Sequence, residues 1–131
     1  MDRRTRQFVR DRAGNRCEYC GLPQELSPVA QLQIEHIIPR KHGGGDEEHN
    51  LALACIDCNL AKSSNLAGID PTTSQTVPLF NPRSQQWNDH FAWQGTLLVG
   101  LTPIGRATIR VLNINDDERQ RVRLSAGQSP Q

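Results

Sequence analysis

Cys17-Glu18-Tyr19-Cys20 and Cys55-Ile56-Asp57-Cys58-Asn59 frame two shorter runs, Glu35-His36-Ile37-Ile38-Pro39 and Asn50-Leu51. Each Cys-x-x-Cys sets two thiols on one tight turn, and two such knuckles can close a tetrahedron of sulfur around Zn²⁺. Thirty-four residues, 21–54, lie between the pairs, so the four ligands Cys17, Cys20, Cys55 and Cys58 meet only if the chain folds between them. Four sulfurs leave no open coordination position, which makes such a metal structural. Two disulfides, or a redox Cys-x-x-Cys, are the alternative reading. The N-terminus, Met-Asp-Arg-Arg, is charged and has no apolar secretory core, which favours metal ligands over disulfides and implies a cytoplasmic protein.

Between the knuckles the pattern is strand, loop, strand, helix. Gln31 to Ile38 alternates apolar and polar residues, the period of a strand, and Pro39 ends it. Residues 40–50 hold Gly43, Gly44 and Gly45, too many glycines for a regular element. Leu51–Ala54 is a short apolar strand, and Asp57 to about Ser64 can form a helix capped by Asp57. Upstream, residues 2–13 suit an amphipathic helix anchored by Phe8 and Val9 and stopped at Gly14 and Asn15.

These residues resemble the HNH endonucleases, and more narrowly their zinc-containing branch with a Cys pair on each side of the motif. The likeness rests on Glu35-His36-x-x-Pro39, Gly43-Gly44, Asn50-Leu51 and Cys55-x-x-Cys58-Asn59-x-x-Lys62. Leu79-Phe80-Asn81-Pro82-Arg83 and Gly100-Leu101-Thr102-Pro103 also look like the tail of small standalone bacterial members. The resemblance implies an α+β protein with a ββα-metal core. It makes His36 the general base, Asn50 the residue that orders the loop, and Asn59 the last letter of the motif, here Asn rather than His. It also implies that Glu35 and the Asn59 side-chain oxygen hold a catalytic divalent cation.

Elementary chemistry points the same way. Phosphodiester hydrolysis needs an activated water and stabilisation of charge on the phosphate and the leaving oxygen. A neutral imidazole is a suitable base at neutral pH, and two oxygen ligands suit Mg²⁺ or Mn²⁺ better than zinc. Lys62, one helical turn past Asn59, is placed either to reach a phosphate or to lie on a solvated face. One geometric difficulty stands: neighbours on a regular strand point to opposite faces, so Glu35 and His36 share a site only if the strand ends or twists there.

The remaining chain adds less chemistry. Arg3, Arg4, Arg6, Arg10, Arg12 and Arg16 crowd the first 16 residues, as a solvated helix face or a phosphate-contacting edge. Arg16 and Arg40 join Lys62 as expected nucleic-acid contacts. The net charge of +1 argues against tight nonspecific binding to nucleic acid. His42 and His49 suit the surface, and His90 the packing of the tail. Trp87, Phe91 and Trp93 can stack on bases or fill the core, and in a chain with 5% aromatic residues the core is the better use.

The expected organisation is an HNH core with zinc knuckles at 1–66, a polar connector at 67–76, a small α/β extension at 77–124 and a frayed end at 125–131. Thr102-Pro103 starts one helix of that extension and Asp116 another. No run reaches the roughly 20 apolar residues of a membrane span. With 36% hydrophobic residues and a mean hydropathy of -0.59, the apolar core is small, and a metal cross-link would add its binding energy to folding. The expected activity is metal-dependent hydrolysis of DNA, a monomer nicking one strand and a homodimer cutting two. Zn²⁺ is the structural ion and Mg²⁺ or Mn²⁺ the catalytic one. A non-catalytic zinc-ribbon binding module and a nuclease for RNA or single strands are the rivals.

Overall fold

A computed structural model describes residues 1–27 and 30–125. Helix α1 spans Arg3–Arg12, and the Asp2 carboxylate caps it by accepting from the Thr5 amide at 2.8 Å. Val9 is its buried anchor, whereas Phe8 is 41% exposed and lies under the Arg12 guanidinium. Gly14 and Asn15 take left-handed conformations (φ 64° and 56°) and turn the chain into the first knuckle.

Strands β1 (Gln33–His36) and β2 (Leu51–Ala54) form an antiparallel ribbon in which Gln33 faces Ala54 and His36 faces Leu51. β1 is shorter than its alternating pattern suggested. All four residues of β2 are buried, and its outer edge is covered rather than open. Glu18 covers it like a strand, donating its amide to Leu53 O and accepting from the Leu53 amide through its carboxylate. Arg12 and Arg83 both donate to Leu51 O.

The loop between the strands contains two short 3₁₀ turns, Arg40–His42 and Glu48–Asn50, on either side of the glycines. Gly44 is required by contact: a Cβ there would lie 1.7 Å from Ile38 O and 2.8 Å from Asn50 Nδ2. Helix α2 (Ile56–Lys62) follows β2, and its cap is the Cys55 sulfur, which accepts from the Cys58 amide at 3.4 Å. Asp57, expected as the cap, sits exposed in the first turn, because the chain turns into the helix at the cysteine knuckle two residues earlier.

Residues 67–76, expected as a connector, form β3 (Ala67–Ile69) and the turn into β4 (Thr76–Pro78), which pairs with it antiparallel. Asp70 organises the turn between them. Its carboxylate accepts from the Thr72 amide and the Thr73 hydroxyl, and the Arg106 guanidinium grips both oxygens at 2.8 and 2.9 Å. A short helix α3 (Trp87–His90) leads into the ribbon β5 (Phe91–Gln94) and β6 (Leu97–Gly100). Helix α4 (Pro103–Val111) has the expected Thr102 cap and packs against β6, β3 and β4, and α5 (Asp117–Ser125) closes the described chain. From residue 126 on, the expected frayed end lies outside the described residues.

One apolar core runs through both halves. Val9, Leu32, Leu51, Leu53, Phe80, Phe91, Leu98, Leu112 and Ile114 belong to it. Trp87 and Trp93 pack beside it, and the Trp87 indole donates to Tyr19 O at 2.9 Å. His90 is also held in the tail, its Nδ1 2.6 Å from the Thr102 hydroxyl and its ring against Phe80. The tail therefore completes the interior under the first knuckle. Among the described residues no helix is long and apolar enough to cross a membrane.

Candidate metal and catalytic sites

Cys17 and Cys20 come from the turn after α1, and Cys55 and Cys58 from the start of α2. The four sulfurs lie within 4.8 Å of one another, all are buried, and none is in a disulfide. Cys20 Sγ and Cys55 Sγ are 3.7 Å apart. Zn–S bonds of about 2.3 Å around a tetrahedron give an S···S edge of about 3.8 Å, so the spacing suits a metal and not an S–S bond of ~2.05 Å. Burial, above all, pushes the Cys17 and Cys58 thiols well up, while hydrogen bonds from the other three sulfurs bring Cys20 well down. The cluster can hold a metal ion, and binding one would release the shared protons.

Glu35 and His36 part company at the other end of the ribbon, as strand geometry demands. Glu35 turns inward and is 4% exposed. One of its oxygens accepts from the Tyr19 hydroxyl at 2.6 Å, and the other receives the Lys62 ammonium at 2.6 Å. Burial pushes its carboxyl above the ordinary value, opposed by the Lys62 charge and both hydrogen bonds. Burial, and then the negative charge of Glu35, push Tyr19 well up and keep it a proton donor. Lys62 is 2% exposed and also donates to His36 O (3.3 Å) and Ile37 O (3.0 Å), so all three of its hydrogens have acceptors.

Two expectations are corrected by this geometry. Lys62 does not reach toward a phosphate, because it is drawn inside to neutralise Glu35. Glu35 and Asn59 do not present paired oxygens to a hard cation. Both Glu35 oxygens are taken, an ammonium stands where a cation would approach, and the Asn59 amide donates to Gln33 Oε1 at 2.6 Å. The donor set at this point does not fit Mg²⁺ or Mn²⁺. Among the described residues, the cysteines are the one group of three or more His, Cys, Asp or Glu side chains close enough to hold an ion.

His36 turns the other way, toward solvent. Its Nε2 lies 2.7 Å from Asp46 Oδ1, with its side chain 20% exposed. Arg40 Nη2 contacts both Asp46 oxygens at 2.9 and 3.2 Å. The His36 hydrogen bond, with Arg40, holds the Asp46 carboxyl below its usual range. Asn50 fixes the backbone beside it. Its Oδ1 accepts from the Ile38 amide (2.8 Å), and its Nδ2 donates to Ile38 O (3.0 Å) and Gly45 O (2.9 Å). One amide thus ties the end of β1 to the glycine turn, and Gly44 leaves room for it. Arg16 is exposed on the first cysteine knuckle and donates to Gly21 O. His42 and His49 are exposed, with His42 Nε2 3.2 Å from Ser64 O.

Asp46, Tyr19 and Gln33 are the partners that sequence reasoning missed. Asp46 carried the one usable signal, a carboxylate directly after the glycines of a loop that must fold back on His36.

No curated protein and no solved structure matches the chain. A family model described as HNH endonuclease matches residues 17–65, from the first cysteine of the cluster to three residues past Lys62. With its antiparallel ribbon, following helix and cysteine cluster, this segment of the chain is similar to HNH endonuclease domains.

Proposed function

We propose that the protein is an HNH endonuclease that hydrolyses DNA phosphodiester bonds, with the four cysteines closed around a structural zinc ion. The observation that carries the catalytic reading is the solvent-facing pairing of His36 with Asp46, beside a loop pinned by Asn50. If Nε2–H is donated to Asp46, Nδ1 is left to take a proton from water. The resulting imidazolium is then stabilised by the carboxylate, the logic of a base held in one tautomer by a third group. The activated water attacks phosphorus in line with the leaving 3′-oxygen, giving 5′-phosphate and 3′-hydroxyl ends. Arg40, exposed beside Asp46, supplies positive charge where the phosphate backbone would approach. One such centre cuts one strand, so a monomer nicks and double-strand cleavage takes two.

The test is conversion of supercoiled plasmid to open circle with Mg²⁺ or Mn²⁺ supplied, comparing wild type with His36→Ala at matched zinc content and matched unfolding midpoint. Nicking by the wild type and loss of at least ~10² in rate in the variant is the expected result. Equal rates would remove His36 as the base. No cleavage by wild type of duplex, single-stranded DNA or RNA would leave a zinc-ribbon binding module.

A further inference from the structure

The cysteine cluster has a neighbour from the far end of the chain. Asp116 caps α5 by accepting from the Glu118 and Arg119 amides, which sets Arg119 on the inner side of the first turn. Arg119 Nη1 donates to the carbonyls that end α4, Leu112 O at 2.6 Å and Asn113 O at 3.2 Å. Its Nη2 points at sulfur, 2.9 Å from Cys58 Sγ and 3.8 Å from Cys55 Sγ. Arg123, one turn later and 3% exposed, donates to Thr96 O and Ile114 O and lies over the Trp93 ring. Both guanidinium groups are held by backbone carbonyls, so their positions are built into the fold.

Four thiolates around a divalent ion carry a net charge of minus two. A buried charge of that size is costly unless it is paired and hydrogen-bonded. Two knuckle amides, those of Cys20 and Cys58, point at sulfur from 3.5 and 3.4 Å. Among the described residues the guanidinium of Arg119 joins them, bringing both an N–H and a full positive charge.

We propose that Arg119 is an outer-sphere ligand of the zinc site, and that α5 acts as its charged lid, setting how firmly the metal is held. A hydrogen bond to a coordinated thiolate draws electron density from the sulfur. That makes the sulfur a poorer base toward protons and a poorer nucleophile toward electrophiles, and so slows the first step of metal loss. The last helix among the described residues thereby becomes part of the metal centre although it contributes no ligand. This inference rests on the assignment of the cysteines to zinc.

Zinc content and the rate of zinc transfer to excess chelator test it, in the full-length wild type, Arg119→Gln, Arg119→Lys and the control Arg121→Gln. Arg121 lies on the same helix with its side chain 69% exposed and, among the described residues, pairs with Glu118 at the surface. The Co²⁺-substituted forms provide a second readout through their thiolate-to-metal charge-transfer bands. One zinc per wild-type chain is expected, with release from Arg119→Gln about 10- to 100-fold faster, the range typical of outer-shell partners. Its Co²⁺ band should move to lower energy as the thiolates become better donors. Arg119→Lys, which keeps the charge but loses the fork, should fall between, and Arg121→Gln should match wild type. Release rates and bands for Arg119→Gln within twofold of wild type and unshifted would overturn the proposal. If that variant does not fold, Arg119→Lys indistinguishable from wild type overturns it instead. Absence of zinc from the wild type would overturn the zinc assignment itself, a distinct result.

Discussion

Replacing Lys62 with Met isolates the buried ion pair that the sequence disguised as a surface contact. The substitution keeps most of the aliphatic volume and deletes the ammonium, leaving Glu35 with Tyr19 as its one remaining donor and the His36 and Ile37 carbonyls without Lys62. A buried carboxylate stripped of its cation is expected to cost about 3–5 kcal/mol. The carboxyl can escape this cost by taking a proton. Protonating a glutamate of ordinary pKa ~4.3 at pH 7 costs about 1.36 kcal/mol per unit, or roughly 3.7 kcal/mol. The two estimates agree, so a loss near 4 kcal/mol at neutral pH is the expectation.

The escape route also fixes a sign. In Lys62→Met the folded pKa of Glu35 rises further above its unfolded value, so the folded state binds more protons than the unfolded one. Stability is then greatest below the unfolded pKa and falls as pH rises toward the folded one. The defect relative to wild type should therefore shrink as pH is lowered from 7.5 to 5.5. Urea unfolding of the zinc-loaded proteins at both pH values measures this. Glu35→Gln in the Lys62→Met background should recover much of the loss, because an amide oxygen still accepts from Tyr19 without a buried charge. A defect under 1 kcal/mol at pH 7.5, or one that does not change with pH, would refute the reasoning. Restoration of Lys62→Met by millimolar Mg²⁺ would refute it differently, by showing that the Glu35 carboxylate is open to a cation.

Asp46→Asn should slow plasmid nicking on the order of 10²-fold, because the histidine loses the anion that orients it and balances its charge. Its urea midpoint should stay that of the wild type, since the carboxylate is at the surface, and a variant that nicks at the wild-type rate would remove Asp46 from the site. Asn50→Ala removes both the acceptor of the Ile38 amide and the donor to the Ile38 and Gly45 carbonyls; a loss of about 2–4 kcal/mol follows from three hydrogen bonds, read by urea unfolding, and a smaller loss would mean water takes over the clamp. Arg106 holds the Asp70 carboxyl well below its ordinary value, chiefly through their hydrogen bonds. A lowered folded pKa gives stability that is present above the unfolded value of about 4 and lost as pH falls below it. Arg106→Met should therefore move the acid-unfolding midpoint, followed by circular dichroism, to higher pH, and an unmoved midpoint would show the pair to be energetically silent.

What was legible in the sequence was whatever a short window or a fixed spacing encodes. The twin Cys-x-x-Cys pairs foretold a sulfur cluster because only a metal or a disulfide gathers four buried thiols. Thr102-Pro103 announced α4 through the chemistry of a helix start. The ribbon β3–β4 was illegible because its strands have three residues each and its turn is held by a guanidinium from α4, 36 positions away. Lys62 was misread because its partner lies 27 residues earlier, and nothing near it in sequence says that the helix faces a carboxylate. Cys55 displaced Asp57 as a helix cap because one sulfur can accept the Cys58 amide and still face the cluster.

The Glu35-His36 dipeptide shows why motif letters and motif roles separate. Read along the chain, it looks like one unit of chemistry. Placed on a strand, its two side chains must diverge, and β1 ends immediately after them, leaving the inward one under α2 and the outward one over the loop. The inward carboxylate gathers Lys62, and that ammonium also grips the His36 and Ile37 carbonyls. Asn50 grips the next residue, Ile38, from the other strand of the ribbon's approach. The backbone that carries the imidazole is thus held at three successive residues by side chains that never touch it. A chain with so small an apolar core has little dispersion to spare for rigidity, and polar clamps on backbone supply it beneath the imidazole.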